Sequence, residues 1–124
     1  SVVTVIGKPE DVELFKTTHL DNDKRIKFEV AAPLGDQDPR DVWGAPACTP
    51  EHYEEEFYED DGTLCVNVCV GSRGSIAKWF EKFSIDNPRF ETHLNYVCPL
   101  INEKGTLIYK DGIKKLEIIA PNEE

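Results

Sequence analysis

The pattern of apolar and polar positions divides the chain into short segments of alternating period. Val2–Ile6 is a β-branched run closed by Gly7, and predicts a first strand. Pro9 suits a first helical position, and Glu10 and Asp11 suit a helix N-terminus. With Val12, Phe15 and Leu14 as the apolar stripe, residues 9–19 read as a short helix. Over residues 25–31, Ile26, Phe28 and Val30 alternate with Lys27 and Glu29, which predicts a half-buried strand. Residues 63–70 alternate more cleanly. Leu64, Val66, Val68 and Val70 take one face, and Cys65, Asn67 and Cys69 the other.

The period then lengthens. Ile76, Trp79, Phe80 and Phe83 recur at helical spacing, Ser75 stands where an N-cap would, and Asn87-Pro88 ends the helix. Alternation returns at 90–97, with Phe90, Thr92, Leu94 and Tyr96 opposed to Glu91, His93, Asn95 and Val97. Residues 105–110 and 113–119 flank Asp111-Gly112, a strong hairpin signal. The expected order is β-α-β, an insert, β-α-β and a hairpin. That order predicts an α+β, ferredoxin-like two-layer sandwich: a single domain over 1–120 with a polar tail, 121–124.

Residues 33–50 hold four of the eight prolines and two of the eight glycines, so they read as a long connection. Residues 51–60 combine acids with aromatics. They fit either a short helix capped by Thr49 or an edge strand. Charge sharpens the picture here. The chain carries −10, and residues 36–61 hold ten acids and one base, or −9 of it. Acidity is therefore local to this segment, read as an acidic insert. It would repel nucleic acid and attract a basic surface. Tyr53, Phe57 and Tyr58 lie inside the run, where a purely solvating tract would carry few aromatics. They serve either the core or an interface. The candidate partner-binding set is Tyr53, Glu54, Glu55, Glu56, Phe57, Tyr58, Glu59, Asp60 and Asp61.

Little catalytic chemistry is readable. His19, His52 and His93 fall in three different elements, and Ser72 and Ser75 lack a nucleophile-elbow context. Cys65 and Cys69 share a strand face about 13 Å apart, too far for a disulfide or a shared metal. With Cys48 and Cys98 they read as reduced thiols, and their spacing with His93 matches no zinc pattern. No catalytic residue, cofactor or metal is predicted. The Gly71–Ser75 turn before a helix could approach a phosphate, but lacks the P-loop lysine. An alternative ligand-binding set is Asn67, Ser72, Arg73, Ser75 and His93. Cys65, Asn67 and Cys69 stand where an RNA-binding sheet needs stacking aromatics, so nucleic acid is not an expected ligand. Arg73, Lys78, Lys82 and Arg89 form the one short basic strip. The opening residues read as a strand, not a signal peptide, and no apolar run is long enough to span a membrane, so a cytoplasmic location is expected.

Four pieces of the chain resemble the YubB-type ferredoxin-like domain family of plasmid and phage proteins. They are Val5-Ile6-Gly7-Lys8-Pro9-Glu10-Asp11 through Phe15; Trp43-Gly44; Val66 to Phe83 with Asn87-Pro88-Arg89-Phe90; and the strand to Tyr96 with Gly105 and Lys110-Asp111-Gly112. The family's Pro-Asn-Trp start is missing, and Val68-Cys69-Val70-Gly71-Ser72 replaces its Thr-Trp-Ser-Pro stretch. The resemblance implies the fold and a mobile-element origin, and carries over no catalytic residue. Together, charge and resemblance lead to one expectation: a non-enzymatic protein whose acidic–aromatic surface occupies a basic, nucleic-acid-binding site of a host defence protein, such as a CRISPR effector or restriction enzyme. The alternatives are a small-molecule or nucleotide binder, which could be an enzyme, and a structural subunit that forms a homodimer through an exposed apolar strand.

Overall fold

A computed structural model describes residues 1–22, 25–44, 48–72, 75–99 and 102–121; for residues 48–55 and Ser72 it describes the backbone alone. The fold is α+β, with one six-stranded antiparallel sheet and few helices. The strands are β1 (Val2–Gly7), β2 (Cys48–Tyr58), β3 (Leu64–Ser72), β4 (Glu91–Cys98), β5 (Glu103–Lys110) and β6 (Ile113–Pro121). The helices are α1 (Pro9–His19), α2 (Phe28–Ala31), α3 (Pro39–Val42) and α4 (Ala77–Asp86). Their order across the sheet is β2-β3-β1-β4-β5-β6.

β1 lies inside the sheet. Val3 and Val5 are fully buried, and they stand between Val68 and Val66 of β3 and Leu94 and Thr92 of β4. The alternation in β3 and β4 is realised: Leu64, Val66, Val68 and Val70 are buried on one face, and Thr92, Leu94 and Tyr96 continue it. α4 covers this face. Ile76, Trp79, Phe80 and Phe83 are all completely buried. The N-cap of α4 is Ile76 and has no side-chain cap; Ser75, one residue earlier, accepts a hydrogen bond on Oγ from the Ala77 amide at 3.1 Å. Asp111 and Gly112 both take positive φ, 56° and 75°, as a two-residue hairpin turn of the primed type requires.

The strand expected at 25–31 does not form. Ile26 makes one isolated bridge to Leu20, and Phe28–Ala31 is a helical turn. The outer edge of β3, where that strand would have paired, is taken by 48–58. The alternation serves another purpose: Phe28 is buried and Val30 is exposed. Phe28 packs against Trp43 and Trp79 with ring centroids 5.3 Å and 5.0 Å away. The indole N–H groups of Trp79 and Trp43 donate to the Phe28 and Ala32 carbonyls at 3.1 Å and 2.8 Å. Two carbonyls that a strand would have placed in a ladder are thereby satisfied. The segment 36–61 is accordingly not an insert between two β-α-β units. Its first part holds α3, and its last part holds β2 and the turn into β3. In the expected tail, Pro121 is the last residue of β6, and 122–124 lie outside the described residues.

Gly44 fastens the long connection to α4. Its φ is +92°, and a Cβ there would stand 2.6 Å from the Ser75 carbonyl oxygen. Gly44→Ala combines a left-handed backbone with a backbone clash, and is expected to cost about 1–3 kcal/mol or more in urea denaturation. His19 is a buried titratable group, 8% exposed, packed against Phe15 and Phe83. Its Nδ1 has no hydrogen-bond partner among the described residues. Burial first, then the charges of Lys27 and Arg89, lowers its pKa. The unfolded chain therefore takes up a proton on His19 before the folded chain does. The stability this group supports is complete above about pH 6.5 and falls as pH drops below that value. The loss between about pH 8 and about pH 5.5 should be smaller in His19→Phe than in the wild-type chain, as read from denaturation midpoints at both pH values.

Candidate functional site

The acidic–aromatic segment is built on an edge strand. β2 pairs with β3 from Cys48↔Ser72 to Tyr58↔Leu64, with a register shift between Pro50 and Glu54. No strand lies beyond it among the described residues. Proline, a bulge and closely spaced charges are all features that edge strands tolerate and interior strands do not. Of the two alternatives for residues 51–60, the edge strand is the one adopted.

Strand geometry sorts the side chains. Phe57 is the register partner of Cys65 and lies on the sheet face away from the helices. Glu56 lies on the helix side, where Lys16 Nζ of α1 meets its carboxylate at 2.6 Å. The hydrogen bond to Glu56 raises the Lys16 pKa. Phe57 is 42% exposed and Tyr58 is 70% exposed, so neither aromatic is consumed by the core. Glu59, Asp60 and Asp61 follow in an exposed turn. The Glu59 amide donates to the Thr63 carbonyl at 2.8 Å. Asp61 accepts from the Thr63 hydroxyl and amide at 2.7 Å and 3.0 Å, and these bonds hold its carboxyl below the usual range. Tyr53, Glu54 and Glu55 belong to β2, and their side chains lie outside the described residues.

Not every acid is free for a partner. Asp38 caps α3, accepting from the Arg40 amide at 2.8 Å and pairing with its guanidinium, which lowers the Asp38 pKa. Glu56 is spent on Lys16, and Asp61 on its turn. One carboxylate joins the set from elsewhere. Glu91, first residue of β4, lines a shallow concavity of about 390 Å³ with Ile6, Glu59, Asp60, Asp61 and Thr63. Sequence reasoning missed Glu91 because it is thirty residues away from Asp61 in the chain. The only signal was its place on the alternating face that also carries His93.

The described members of the alternative ligand-binding set fall in two layers. Asn67 and His93 lie on the uncovered sheet face, on either side of Thr4. Thr4 donates to Asn67 Oδ1 at 2.6 Å, and His93 Nε2 meets Glu91 Oε2 at 2.7 Å, so both polar groups are already partnered. Ser75 lies in the other layer, just before α4, and accepts from the Ala77 amide. The Ser72 side chain and Arg73 lie outside the described residues. Cys65 is buried and Cys69 half-buried on the uncovered face, whereas Cys98 belongs to the core. Burial, then Glu103, raises the Cys98 pKa. Among the described residues no group of three or more His, Cys, Asp or Glu could hold a metal ion, and no helix is long and apolar enough to cross a membrane. No protein-family model, curated protein or solved structure matches the chain.

An aromatic held at the surface by a strand contributes little to folding. Tyr58→Ser is expected to move the unfolding free energy by no more than about 0.5 kcal/mol, measured by urea denaturation.

Proposed function

We propose that this chain is a non-enzymatic, cytoplasmic binding protein of phage or mobile-element origin, of the YubB type. It uses the acidic–aromatic edge to block a basic, nucleic-acid-binding surface of a host defence protein. A CRISPR effector or a restriction enzyme is the class of target. The observation that carries this reading is the pairing of Phe57 and Tyr58, both exposed, with Glu59 and Asp60 at one end of a sheet edge that has no neighbour among the described residues. Carboxylates give long-range attraction and fast encounter with a basic surface. Aromatics supply the desolvated contacts that slow dissociation. A backbone edge adds the means to accept an extended segment of the partner as a further strand.

The finer fold assignment belongs to the same reading. The order β2-β3-β1-β4, all antiparallel, with α1 after β1 and α4 between β3 and β4, supports a ferredoxin-like sandwich extended by the β5–β6 hairpin. In this assignment 48–58 fills the place that the alternation at 25–31 was expected to fill.

The test is capture of host proteins on the immobilised chain, followed by titration of the captured protein. Binding should weaken steeply as salt rises from about 0.05 M to about 0.5 M. The variant with Glu54, Glu55, Glu56 and Glu59 all changed to Gln should bind at least about tenfold more weakly. The wild-type chain, and not the variant, should displace nucleic acid from the captured protein. Equal affinity of variant and wild type would sink the proposal.

A further inference from the structure

The opposite edge of the sheet has the contrary character. β6 pairs with β5 and with no other strand among the described residues. Every side chain from Ile113 to Ile119 is exposed. Four of these seven are aliphatic: Ile113, Leu116, Ile118 and Ile119. They lie on both sides of the sheet. Ile118 is the register partner of Thr106, whose hydroxyl donates to Asn95 on the uncovered face. Ile119 is the partner of Gly105, which stands against the Tyr96 ring on the helix side. Leu116 and Ile118 share the uncovered face, Ile119 stands on the helix side beside Glu117, and a long exposed strand with such a row is an association site. Only a partner that arrives along the edge meets both sides at once.

Charge permits a second copy at this edge. Residues 103–121 carry four lysines (Lys104, Lys110, Lys114, Lys115) against three acids (Glu103, Asp111, Glu117). This hairpin is thus weakly positive in a chain of −10. It is also the edge farthest from β2, about 24 Å away across five strand spacings. We propose that β6 pairs antiparallel with β6 of a second copy, joining two sheets into one of twelve strands about a two-fold axis. That arrangement puts the two acidic β2 edges at opposite extremes, about 50 Å apart and many screening lengths from each other. It also uses both apolar edges, so the assembly closes as a dimer. The bulge between Ile108 and Tyr109 confines regular pairing to 116–121. A register centred on Glu117 would oppose two carboxylates. Centred on Ile118, it sets Ile118 against itself and Leu116 against Ala120 on one face. The inference does not depend on the partner proposed for β2.

Light scattering after size-exclusion chromatography, over a concentration series, tests it. The wild-type chain should move from one to two chain masses and stop there. Ile118→Glu places two carboxylates at the axis, and should raise the dissociation constant at least about tenfold. Its far-UV circular dichroism and thermal midpoint should match those of the wild-type monomer, since Ile118 is 54% exposed. Ile118→Cys, oxidised in the dimer, should give a reducible covalent dimer that the wild-type chain does not give. This variant decides the matter if Ile118→Glu fails to fold. Three results overturn the proposal. One is a monomer at every concentration. Another is a dimer that neither Ile118→Glu weakens nor Ile118→Cys cross-links. The last is an open series of larger species, which marks head-to-tail pairing of β6 lysines with β2 acids.

Discussion

A strand has two hydrogen-bonding edges, and Val2–Gly7 commits both, one to β3 and one to β4. The rest of the arrangement follows from this constraint. The next open edge is that of β3, and 48–58 takes it, so the chain after α1 builds something other than a strand. It builds the α2 turn, whose carbonyls are taken by the Trp43 and Trp79 indoles. The next strand in sequence finds its place two positions away, beyond β3. The hairpin after β4 extends the sheet the other way. Both ends of the sheet are consequently made from segments that the helices leave largely bare.

Those two ends differ in chemistry. β2 and its turn carry exposed acids and aromatics, and β6 carries exposed aliphatics with lysines. Each is a free edge among the described residues, and each offers one component that a normal guarded edge has and one that it does not. Charges and a bulge guard β2, yet Phe57 and Tyr58 remain outside. Lysines and a bulge guard β6, yet Ile118 and Ile119 remain outside. The central strands separate these surfaces by about 24 Å, far enough for them to act independently at physiological salt.

Between them, the uncovered face is a row of satisfied polar groups. Asn67 and Thr4 bond to each other, as do His93 and Glu91, and Asn95 and Thr106. Satisfied groups tolerate water and need no ligand, which leaves the edges as the places where unused binding capacity collects. The buried His19, by contrast, has no partner for its Nδ1 among the described residues, and couples the stability of the core to acid.

Local pattern was enough to determine β1, β3, α4, β4 and the Asp111-Gly112 hairpin. In each, one face is buried by neighbours that the periodicity itself announces. It was enough also to locate the acids and aromatics of 53–61. It could not assign Ile26, Phe28 and Val30, because alternation records that a side chain is buried without recording what buries it. A strand and an irregular turn under two tryptophans read alike. Whether residues 51–60 became helix or strand was decided by the vacant edge of β3, a fact about pairing that no window of the sequence contains. The same holds for Glu91, brought beside Asp60 and Asp61 by the sheet, and for the exposure of β6. The reach of the helix layer leaves its aliphatics in water.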